Sequence, residues 1–336
     1  MLISWNTTNQ CNMYCEHCYR DAGARLEEEL STAEARKMIG EIKRAGFQIM
    51  IFSGGEPVMR PDIYELISYA SQMGLRAVMG TNASLITPEI AGLLKQAGIM
   101  AAAVSLDSLD KEKHDHFRGL PGAFDLTLAG IKNLQQQGIP VQINATVMDW
   151  NVGEIEELCD YSIQLGAIAF HVFFLVPTGR AVNIEEEALR VKAYENTIKR
   201  LMKKQQEVDI EIKPTCAPQF LRIAENLGMN LRFTRGCLAG ISYCIISPRG
   251  DVQPCAYLDI PLGSVREQPF DEIWNSNQLL LDLRTMDYGG KCGRCQYKLK
   301  CGGCRARAFY YTQGDYMAED EWCLYQPKGF KSNEQA

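Results

Sequence analysis

Three cysteines near the start of the chain have the residue types and spacing of a reactive metal site. Cys11, Cys15 and Cys18 follow the apolar stretch Leu2-Ile3-Ser4-Trp5 and are separated by three and by two residues. Closed four-iron clusters take four cysteine ligands, so three thiolates in one loop leave one iron without a protein ligand. An open coordination position is typical of catalytic metal sites. A zinc loop with His17 as the fourth ligand, or scattered buried cysteines, are the alternatives for this motif alone.

Apolar runs alternate with amphipathic stretches after this loop. The candidate strands are Leu2–Thr7, Phe47–Ser53, Leu75–Thr81, Met100–Asp107, Val141–Met148 and Ala167–Leu175. The candidate helices between them are Thr32–Ala45, Pro61–Met73, Pro88–Gln96, Ala123–Gln137 and Val152–Leu165, and several end at a glycine before the next strand. Repeated strand–helix units predict an α/β fold, a partial TIM-like barrel of six units with its site at the carboxyl ends of the strands.

Polar residues and glycines stand where three of these strands should end. The second strand leads into Ser53-Gly54-Gly55-Glu56-Pro57, the third into Thr81-Asn82, and the fourth into Ser105-Leu106-Asp107. Paired glycines let the backbone approach a ligand closely, and the Glu56 carboxylate suits an ammonium group. A structural turn at the glycines and strand-end capping by Asn82, Ser105 and Asp107 are the alternatives.

The cysteine spacing, followed one strand–helix unit later by Gly-Gly-Glu, resembles the radical SAM superfamily. The resemblance implies a [4Fe-4S] cluster whose open iron binds S-adenosyl-L-methionine (SAM), the source of a 5′-deoxyadenosyl radical. It further implies that Gly54-Gly55-Glu56 binds the methionyl amino group and that His17 touches the adenine. Asn82, Ser105 and Asp107 would contact the ribose or the carboxylate of SAM.

Eight further cysteines lie in the last third of the chain, enough for two sets of four. The run from Cys237 has the form C-x12-G-x4-C, with Gly250 as its glycine, and it resembles the SPASM extension of radical SAM enzymes. That resemblance implies two auxiliary [4Fe-4S] clusters, one held by Cys237, Cys244, Cys255 and Cys304 and the other by Cys292, Cys295, Cys301 and Cys323. A zinc ribbon is the alternative, but five residues between the two C-x2-C pairs are fewer than ribbons use.

Length, composition and charge set the general class. The 336 residues predict a radical SAM core at 1–182, a connecting region at 183–230 and a SPASM domain at 231–336. The connecting region should hold a charged helix over roughly Ile184–Glu207 and a short strand at Val208–Lys213. A net charge of −6 argues against a nucleic-acid partner. The sequence shows no secretion signal and no apolar run long enough to span a membrane, so its clustered cysteines indicate metal binding in the cytoplasm.

Several stretches resemble the radical SAM enzymes of haem biosynthesis, and the cysteine-rich tail resembles the anaerobic haem b synthases most. They are Leu175-Val176-Pro177-Thr178-Gly179-Arg180, Thr215-Cys216-Ala217-Pro218, Arg235-Gly236-Cys237-Leu238, Val252-Gln253-Pro254-Cys255 and Cys301-Gly302-Gly303-Cys304-Arg305-Ala306-Arg307-Ala308. The resemblance implies oxidative decarboxylation of two propionates of an iron-porphyrin, Fe-coproporphyrin III. It also implies a low-potential electron donor of the flavodoxin or ferredoxin type and, for an auxiliary cluster, the role of electron acceptor or a purely structural role.

Cys216 stands between two prolines and is our candidate for a catalytic, substrate-facing residue, although a lone cysteine such as Cys159 is usually inert. Either Cys216 or His171 could ligate the porphyrin iron. Arginines suit the substrate's carboxylates best, because a guanidinium binds a carboxylate through two hydrogen bonds. The candidates are Arg118, Arg180, Arg232, Arg235, Arg305 and Arg307.

Three other functions fit parts of the pattern. One is a different tetrapyrrole reaction, either side-chain removal from didecarboxysirohaem or a step toward haem d1. Another is a SPASM maturase of peptides or proteins; such enzymes often carry a recognition domain before the cysteine loop, and with Cys11 so early we expect none here. The third is an iron–sulfur electron carrier or scaffold, against which the SAM-type motifs argue.

Overall fold

The computed structural model describes residues 1–328, and its centre is one sheet of ten strands in the order β10-β9-β8-β1-β2-β3-β4-β5-β6-β7. The strands are β1 Leu2–Asn6, β2 Ile49–Ser53, β3 Arg76–Thr81, β4 Ala101–Ser105, β5 Val141–Val147, β6 Ala169–Phe174, β7 Glu211–Thr215, β8 Tyr243–Ile246, β9 Asp251–Gln253 and β10 Gly263–Ser264. All neighbours from β8 through β1 to β7 pair in parallel, whereas β8, β9 and β10 pair antiparallel.

The six predicted barrel strands and the α/β class are confirmed, and the sheet extends beyond them on both sides. The strand predicted at Val208–Lys213 lies at Glu211–Thr215 and pairs in parallel with β6. On the other side, β8 from the cysteine-rich part pairs in parallel with β1. The division at 1–182, 183–230 and 231–336 stays a prediction, and residues 329–336 of the last part lie outside the described residues.

The described residues form twelve α-helices. They are α1 Thr32–Arg44, α2 Ile63–Gln72, α3 Pro88–Ala97, α4 Lys111–Arg118, α5 Ala123–Gln136, α6 Ile155–Gln164, α7 Val191–Gln205, α8 Phe220–Asn226, α9 Phe270–Ser276, α10 Gln278–Thr285, α11 Gly290–Gly293 and α12 Arg305–Tyr311, with 3-10 turns at Pro57–Met59 and Gly179–Glu187. The five predicted barrel helices are confirmed within a few residues. None of the 328 described residues belongs to a helix able to cross a membrane.

Two stretches differ from the prediction. Helix α4 was not predicted; it is short and strongly charged, and Asp110 caps its first turn. The single helix expected over residues 184–207 is instead a 3-10 turn followed by α7. Glu185 in that turn accepts hydrogen bonds from the hydroxyls of Tyr310 and Tyr311, which fix the segment against α12 before α7 begins.

The two faces of the sheet differ in polarity. In β5, Ile143 and Ala145 are buried, whereas Gln142, Asn144 and Thr146 between them are half-buried. The same alternation in β6 and β7 leaves half-buried polar side chains on one face. A closed TIM barrel fills its interior with bulky apolar side chains. Here the inner face is polar and only partly covered, which leaves it available to a ligand.

Two helix glycines offer a matched test of this packing. A Cβ on Gly130 of α5 would lie 2.1 Å from the carbonyl oxygen of Ala83, whereas one on Gly92 of α3 would meet nothing within 4 Å. Gly130→Ala should therefore lower the free energy of unfolding by about 1 to 3 kcal/mol. Gly92→Ala should raise it by about 0.5 to 1 kcal/mol, since alanine favours a helix. Thermal unfolding measures both, and equal effects would contradict the packing described.

Candidate active site

The loop that carries Cys11, Cys15 and Cys18 is held directly by the backbone of the glycine turn after β2. The Gly55 amide donates to the carbonyl of Thr8, and the Glu56 amide donates to that of Gln10, each at 2.8 Å. A Cβ on Gly54 would lie 2.6 Å from the Thr8 oxygen, and one on Gly55 would lie 2.1 Å from the Gln10 oxygen. The sequence predicted that these glycines approach a ligand; the close approach observed is to the cysteine loop.

A second turn, after β6, holds the same loop from another side. Gly179 has φ of +58°, and a Cβ there would lie 2.6 Å from the carbonyl oxygen of Cys18. The backbone amide of Arg180 donates to that oxygen at 2.9 Å. The side-chain Nε of Arg180 donates to the carbonyl of Cys15, also at 2.9 Å. The guanidinium also pairs with Asp21 and lies 3.8 Å from the Tyr14 ring centre. Arg180 is therefore engaged with the cysteine loop, and its pairing with substrate carboxylates stays a prediction.

Arg118 joins the loop to the end of β4. Its Nε lies 2.6 Å from Oδ2 of Asp107, and another of its nitrogens lies 3.8 Å from the Cys15 sulfur. Asp107 also accepts the amide of Thr146 at 2.8 Å. Although burial alone would raise it, the Arg118 charge holds the pKa of Asp107 below its ordinary value. The structure thus engages both groups with each other, so Arg118 is not free for a substrate carboxylate.

Glu56 lies at the centre of the strand ends and is fully buried. One carboxylate oxygen accepts the Thr81 hydroxyl at 2.8 Å, and the other accepts the Asn82 amide at 2.9 Å. Burial raises the pKa of Glu56 to about 7, against the lowering effect of these hydrogen bonds. An ionised carboxylate has about four acceptor positions. Glu56 therefore keeps capacity for an ammonium group.

Asn82 and Ser105, also predicted from the strand ends, differ in what they touch. The side-chain nitrogen of Asn82 donates to the side-chain oxygen of Asn12 in the cysteine loop at 2.9 Å, and the side-chain oxygen of Asn82 accepts the Ser84 hydroxyl at 2.7 Å. Ser105 lies half-buried on the inner face, opposite Asn144 of β5. Asn82 thus stabilises the cysteine loop, whereas Ser105 faces the interior of the barrel.

The His17 ring stacks on Phe117, with centroids 4.1 Å apart and planes 18° apart. Burial lowers the pKa of His17 to about 3, so the ring is neutral. Its Nδ1 is buried and has no hydrogen-bond partner among residues 1–328. A buried polar atom without a partner is unusual in native proteins and indicates a missing ligand. This ring therefore fits a site that a bound cofactor completes.

Four of the predicted auxiliary cysteines, Cys292, Cys295, Cys301 and Cys323, line one cavity. The amide of Asp320 lies 3.4 Å from the Cys292 sulfur, and the amide of Tyr297 lies 3.4 Å from the Cys295 sulfur. Hydrogen bonds to the sulfurs are typical of iron–sulfur ligands and tune the cluster's potential. These four residues fit a closed cluster.

The second predicted set of four is only partly brought together. Cys237, Cys255 and Cys304 are near neighbours that act electrostatically on one another. Cys244 is fully buried in the main apolar core and has no cysteine among the groups that act on it. Cys216, predicted to face the substrate, packs with Cys255 against a small apolar cluster that includes Cys304.

The two groups are separated by Gly302-Gly303, whose φ angles are +76° and +63°. This turn allows Cys301 to point to one group and Cys304 to the other. No three His, Cys, Asp or Glu side chains within 1–328 are arranged around a single metal ion.

A buried ion pair, which the sequence did not reveal, supports this region. Arg307 lies 3.2 Å from Asp320, and both side chains are fully buried. Asp320 also accepts the amide of Cys304 and the side-chain amide of Gln219, each at 2.8 Å. Although burial opposes it, Arg307 holds the pKa of Asp320 below its ordinary value. Arg307, like Arg305 with its bonds to the Tyr316 and Ala318 carbonyls, is thus occupied in the fold and not free for substrate carboxylates.

A polar chain crosses the inner face. Gln142 lies 3.0 Å from Nδ1 of His171, and Glu211 lies 3.1 Å from its Nε2. Burial lowers the pKa of His171, which keeps the ring neutral. Both ring nitrogens are engaged, so His171 is not free to ligate iron here. The alternation of polar and apolar residues in β5 is the sequence pattern that could have indicated this row of hydrogen-bonded side chains.

The inner face also carries cations. Lys213 lies 4.5 Å from the Phe233 ring centre, and burial lowers its pKa. Arg232 is largely exposed and lies 3.4 Å from Glu211. Of the six arginines considered, it is the one that the structure leaves most open to solvent beside the inner face.

Known protein families match both the part of the chain with the first cysteine loop and the later cysteine-rich part. Residues 5–162 match the radical SAM superfamily, and residues 237–304 match SPASM, an iron–sulfur cluster-binding domain. The chain is 43% identical over 340 residues to the AdoMet-dependent heme synthase of Methanosarcina barkeri, with 97% of each chain covered. It is 32% identical over 352 residues to the Fe-coproporphyrin III synthase of the same organism, covering 96% of this chain and 87% of that one.

Among solved structures, SuiB of Streptococcus suis bound to its precursor peptide SuiA superposes with a TM-score of 0.78 at 19% identity. The match covers 96% of this chain and 76% of that one. At this identity the likeness shows the fold alone. It confirms the predicted α/β barrel with a SPASM-type extension.

The Arg118–Asp107 pair can be tested by a double substitution. Arg118→Gln leaves a buried carboxylate unpaired and should lower the free energy of unfolding by about 3 to 5 kcal/mol. Adding Asp107→Asn should recover part of that loss, because the uncompensated charge is removed. Arg36→Gln, in the exposed pair with Glu65, is the control and should change stability by less than about 1 kcal/mol. Thermal unfolding is measured for the wild type, for Arg118→Gln, for Asp107→Asn, for the double variant and for the control; additive effects of the two buried changes would contradict the pairing.

Proposed function

The chain belongs to the radical SAM superfamily, and from that premise we propose that it oxidatively decarboxylates two propionates of Fe-coproporphyrin III to the two vinyl groups of haem b. The observation that carries the proposal is the 43% identity to an AdoMet-dependent heme synthase over 97% of both chains. The identity to the Fe-coproporphyrin III synthase of the same organism is lower, at 32%. This difference favours the decarboxylation over the other tetrapyrrole reactions.

The enzyme uses SAM and a [4Fe-4S] cluster, and we propose Cys11, Cys15 and Cys18 as the ligands. When bound, this pair supplies the 5′-deoxyadenosyl radical that removes a hydrogen atom from the propionate carbon next to the ring. Glu56 would accept hydrogen bonds from the methionyl ammonium, because it is a buried carboxylate with free acceptor positions. The neutral His17 ring would contact the adenine, and its unpaired Nδ1 would gain a partner there.

Gly54, Gly55 and Asp107 have a different part in this proposal. The two glycines bring the turn against the cysteine loop, so they position Glu56 rather than touch SAM themselves. Asp107 acts through Arg118, which it orients toward Cys15. Asn82 and Ser105 stay candidates for contacts to the ribose or carboxylate, since they lie at neighbouring strand ends.

We propose two auxiliary [4Fe-4S] clusters in the cysteine-rich part. Cys292, Cys295, Cys301 and Cys323 would hold one, and Cys237, Cys255 and Cys304 would supply ligands of the other. Loss of carbon dioxide from the substrate radical leaves one electron, for which an auxiliary cluster is the acceptor we propose. A flavodoxin or ferredoxin type protein would reduce the first cluster. None of the thirteen cysteines, all of which lie within residues 1–328, forms a disulfide bond, which supports our placing the protein in the reducing cytoplasm.

The iron-porphyrin would bind against the polar inner face of the sheet. Its carboxylates need cationic partners, and Lys213 and Arg232 are the cations beside this face. A carboxylate next to Lys213 would offset the desolvation that lowers the pKa of this amine. Arg118, Arg180, Arg305 and Arg307 are engaged elsewhere, so we exclude them from this role.

Anaerobic turnover with SAM, a reductant and Fe-coproporphyrin III tests the proposed function. We expect mass spectrometry to show stepwise loss of two carboxyl groups, matched by 5′-deoxyadenosine. Replacing Cys11, Cys15 or Cys18 by alanine should abolish 5′-deoxyadenosine formation, because the first cluster is lost. Cys295→Ala should leave SAM cleavage and impair product formation. Intact porphyrin alongside abundant 5′-deoxyadenosine would contradict this substrate and favour didecarboxysirohaem or a peptide.

The raised pKa of Glu56 predicts that SAM binding depends on pH. Glu56 has a pKa of about 7, so it is mostly protonated below that pH and ionised above it. Affinity for SAM should rise from about pH 6 to about pH 7.5, since only the carboxylate attracts an ammonium, and should fall again above about pH 8, where the methionyl ammonium loses its own proton. Equilibrium dialysis of the cluster-loaded protein measures this. The control, Glu56→Gln, should bind weakly without this rise; an unchanged rise in that variant would contradict the assignment.

A further inference from the structure

Cys244 lies on the wrong face of its strand to join the other cysteines. In the parallel pairing of β8 with β1 it stands opposite Ile3, and both residues are fully buried in the main core. Its neighbour Tyr243 faces the other way, where its hydroxyl donates to Ser4 and where Cys255 acts on it. Successive side chains of a strand point to opposite faces. Cys244 therefore points into the apolar layer, away from Cys255.

Without Cys244, the set of Cys237, Cys255 and Cys304 lacks a fourth thiol, and Cys216 lies close to this set. It contacts an apolar cluster built on Val176, Leu258, Cys304 and Ala306, and Cys255 packs against the same cluster. Pro218 of the same turn is pressed against Gly236, where an added Cβ would lie 2.6 Å from the proline Cβ. The turn that carries Cys216 thus lies directly against the residue before Cys237.

The backbone of Cys216 is also fixed to that of Cys304. Arg307 donates to the Cys216 carbonyl at 2.9 Å and pairs with Asp320, which accepts the Cys304 amide at 2.8 Å. Cys216 itself has φ of +59°, a conformation that residues other than glycine adopt rarely and that clusters at functional sites. The buried Arg307–Asp320 pair thus fixes the backbone of Cys216 relative to that of Cys304. It also stabilises the positive φ of Cys216.

We propose that Cys216, and not Cys244, completes the auxiliary cluster whose other ligands are Cys237, Cys255 and Cys304. The four thiols come from the turn after β7, from the segment before β8, from the turn after β9 and from the residue before α12. A closed four-iron cluster takes four cysteines, and this set supplies them. Cys216 is then a metal ligand that ties the end of the barrel to the SPASM part, rather than a thiol that faces the porphyrin. The inference rests on the two auxiliary clusters of the proposed function.

The test compares iron and sulfide content in the anaerobically reconstituted full-length protein. Cys216→Gly should lose about four irons per chain, one cluster. Glycine adopts the φ of this position without strain, so this variant should keep its fold, as far-UV circular dichroism would verify. Cys237→Ala is the positive control and should lose the same amount, with the same change in the electron paramagnetic resonance spectrum after reduction. Cys244→Ala is the matched control and should keep its iron.

Full iron content in Cys216→Gly would overturn the proposal, and so would loss of a cluster in Cys244→Ala. The readout does not depend on the porphyrin. Failure to decarboxylate Fe-coproporphyrin III would contradict the proposed function and leave these iron counts as they are.

Discussion

The contact between two backbones, that of the cysteine loop and that of the glycine turn after β2, is the constraint on which the rest of this site depends. The Gly55 and Glu56 amides hydrogen-bond to the loop at 2.8 Å, and any side chain at residue 55 would overlap the Gln10 carbonyl. The same contact brings Glu56 to the loop and fixes its place between Thr81 and Asn82. A loop of three cysteines has no regular structure of its own, so such contacts must define where its sulfurs point.

Buried arginines also hold the cysteines in place. Arg180 binds the Cys15 carbonyl, Arg118 reaches the Cys15 sulfur, and Arg307 binds the Cys216 carbonyl. Arg118 and Arg307 each pair with a fully buried aspartate, which compensates the charge where water is excluded. Guanidinium groups suit this work because they present several donors in a fixed plane. Burial raises the pKa of the Cys15 and Cys216 thiols, and the charges of Arg118 and Arg307 act against that rise.

The sheet joins the two cysteine-rich parts into one unit. Strand β8 pairs with β1, so the SPASM part continues the barrel's own sheet on the side where the first cysteine loop begins. At the other end, β7 leads to Cys216, which lies among the cysteines of the SPASM part. Between these edges lies the polar inner face with His171 and Lys213. Candidate metal ligands thus follow β1 on one side of the sheet and β7 at its other edge, with the proposed substrate face between them.

The sequence alone determined the ligand types, the α/β class and the strand–helix order, because these follow from local patterns: cysteine spacing, apolar periodicity and the Gly-Gly-Glu turn. It placed Cys292, Cys295, Cys301 and Cys323 in one set, and the structure gives them one cavity. Only the tertiary structure placed Cys216 close to Cys255 and Cys304 and Cys244 in the apolar core. Distance along the chain does not show which face of β8 a thiol occupies, nor that a turn after β7 reaches Cys304. The same reason applies to the arginines: a guanidinium looks alike in sequence whether it is free for a substrate or already paired with a buried partner.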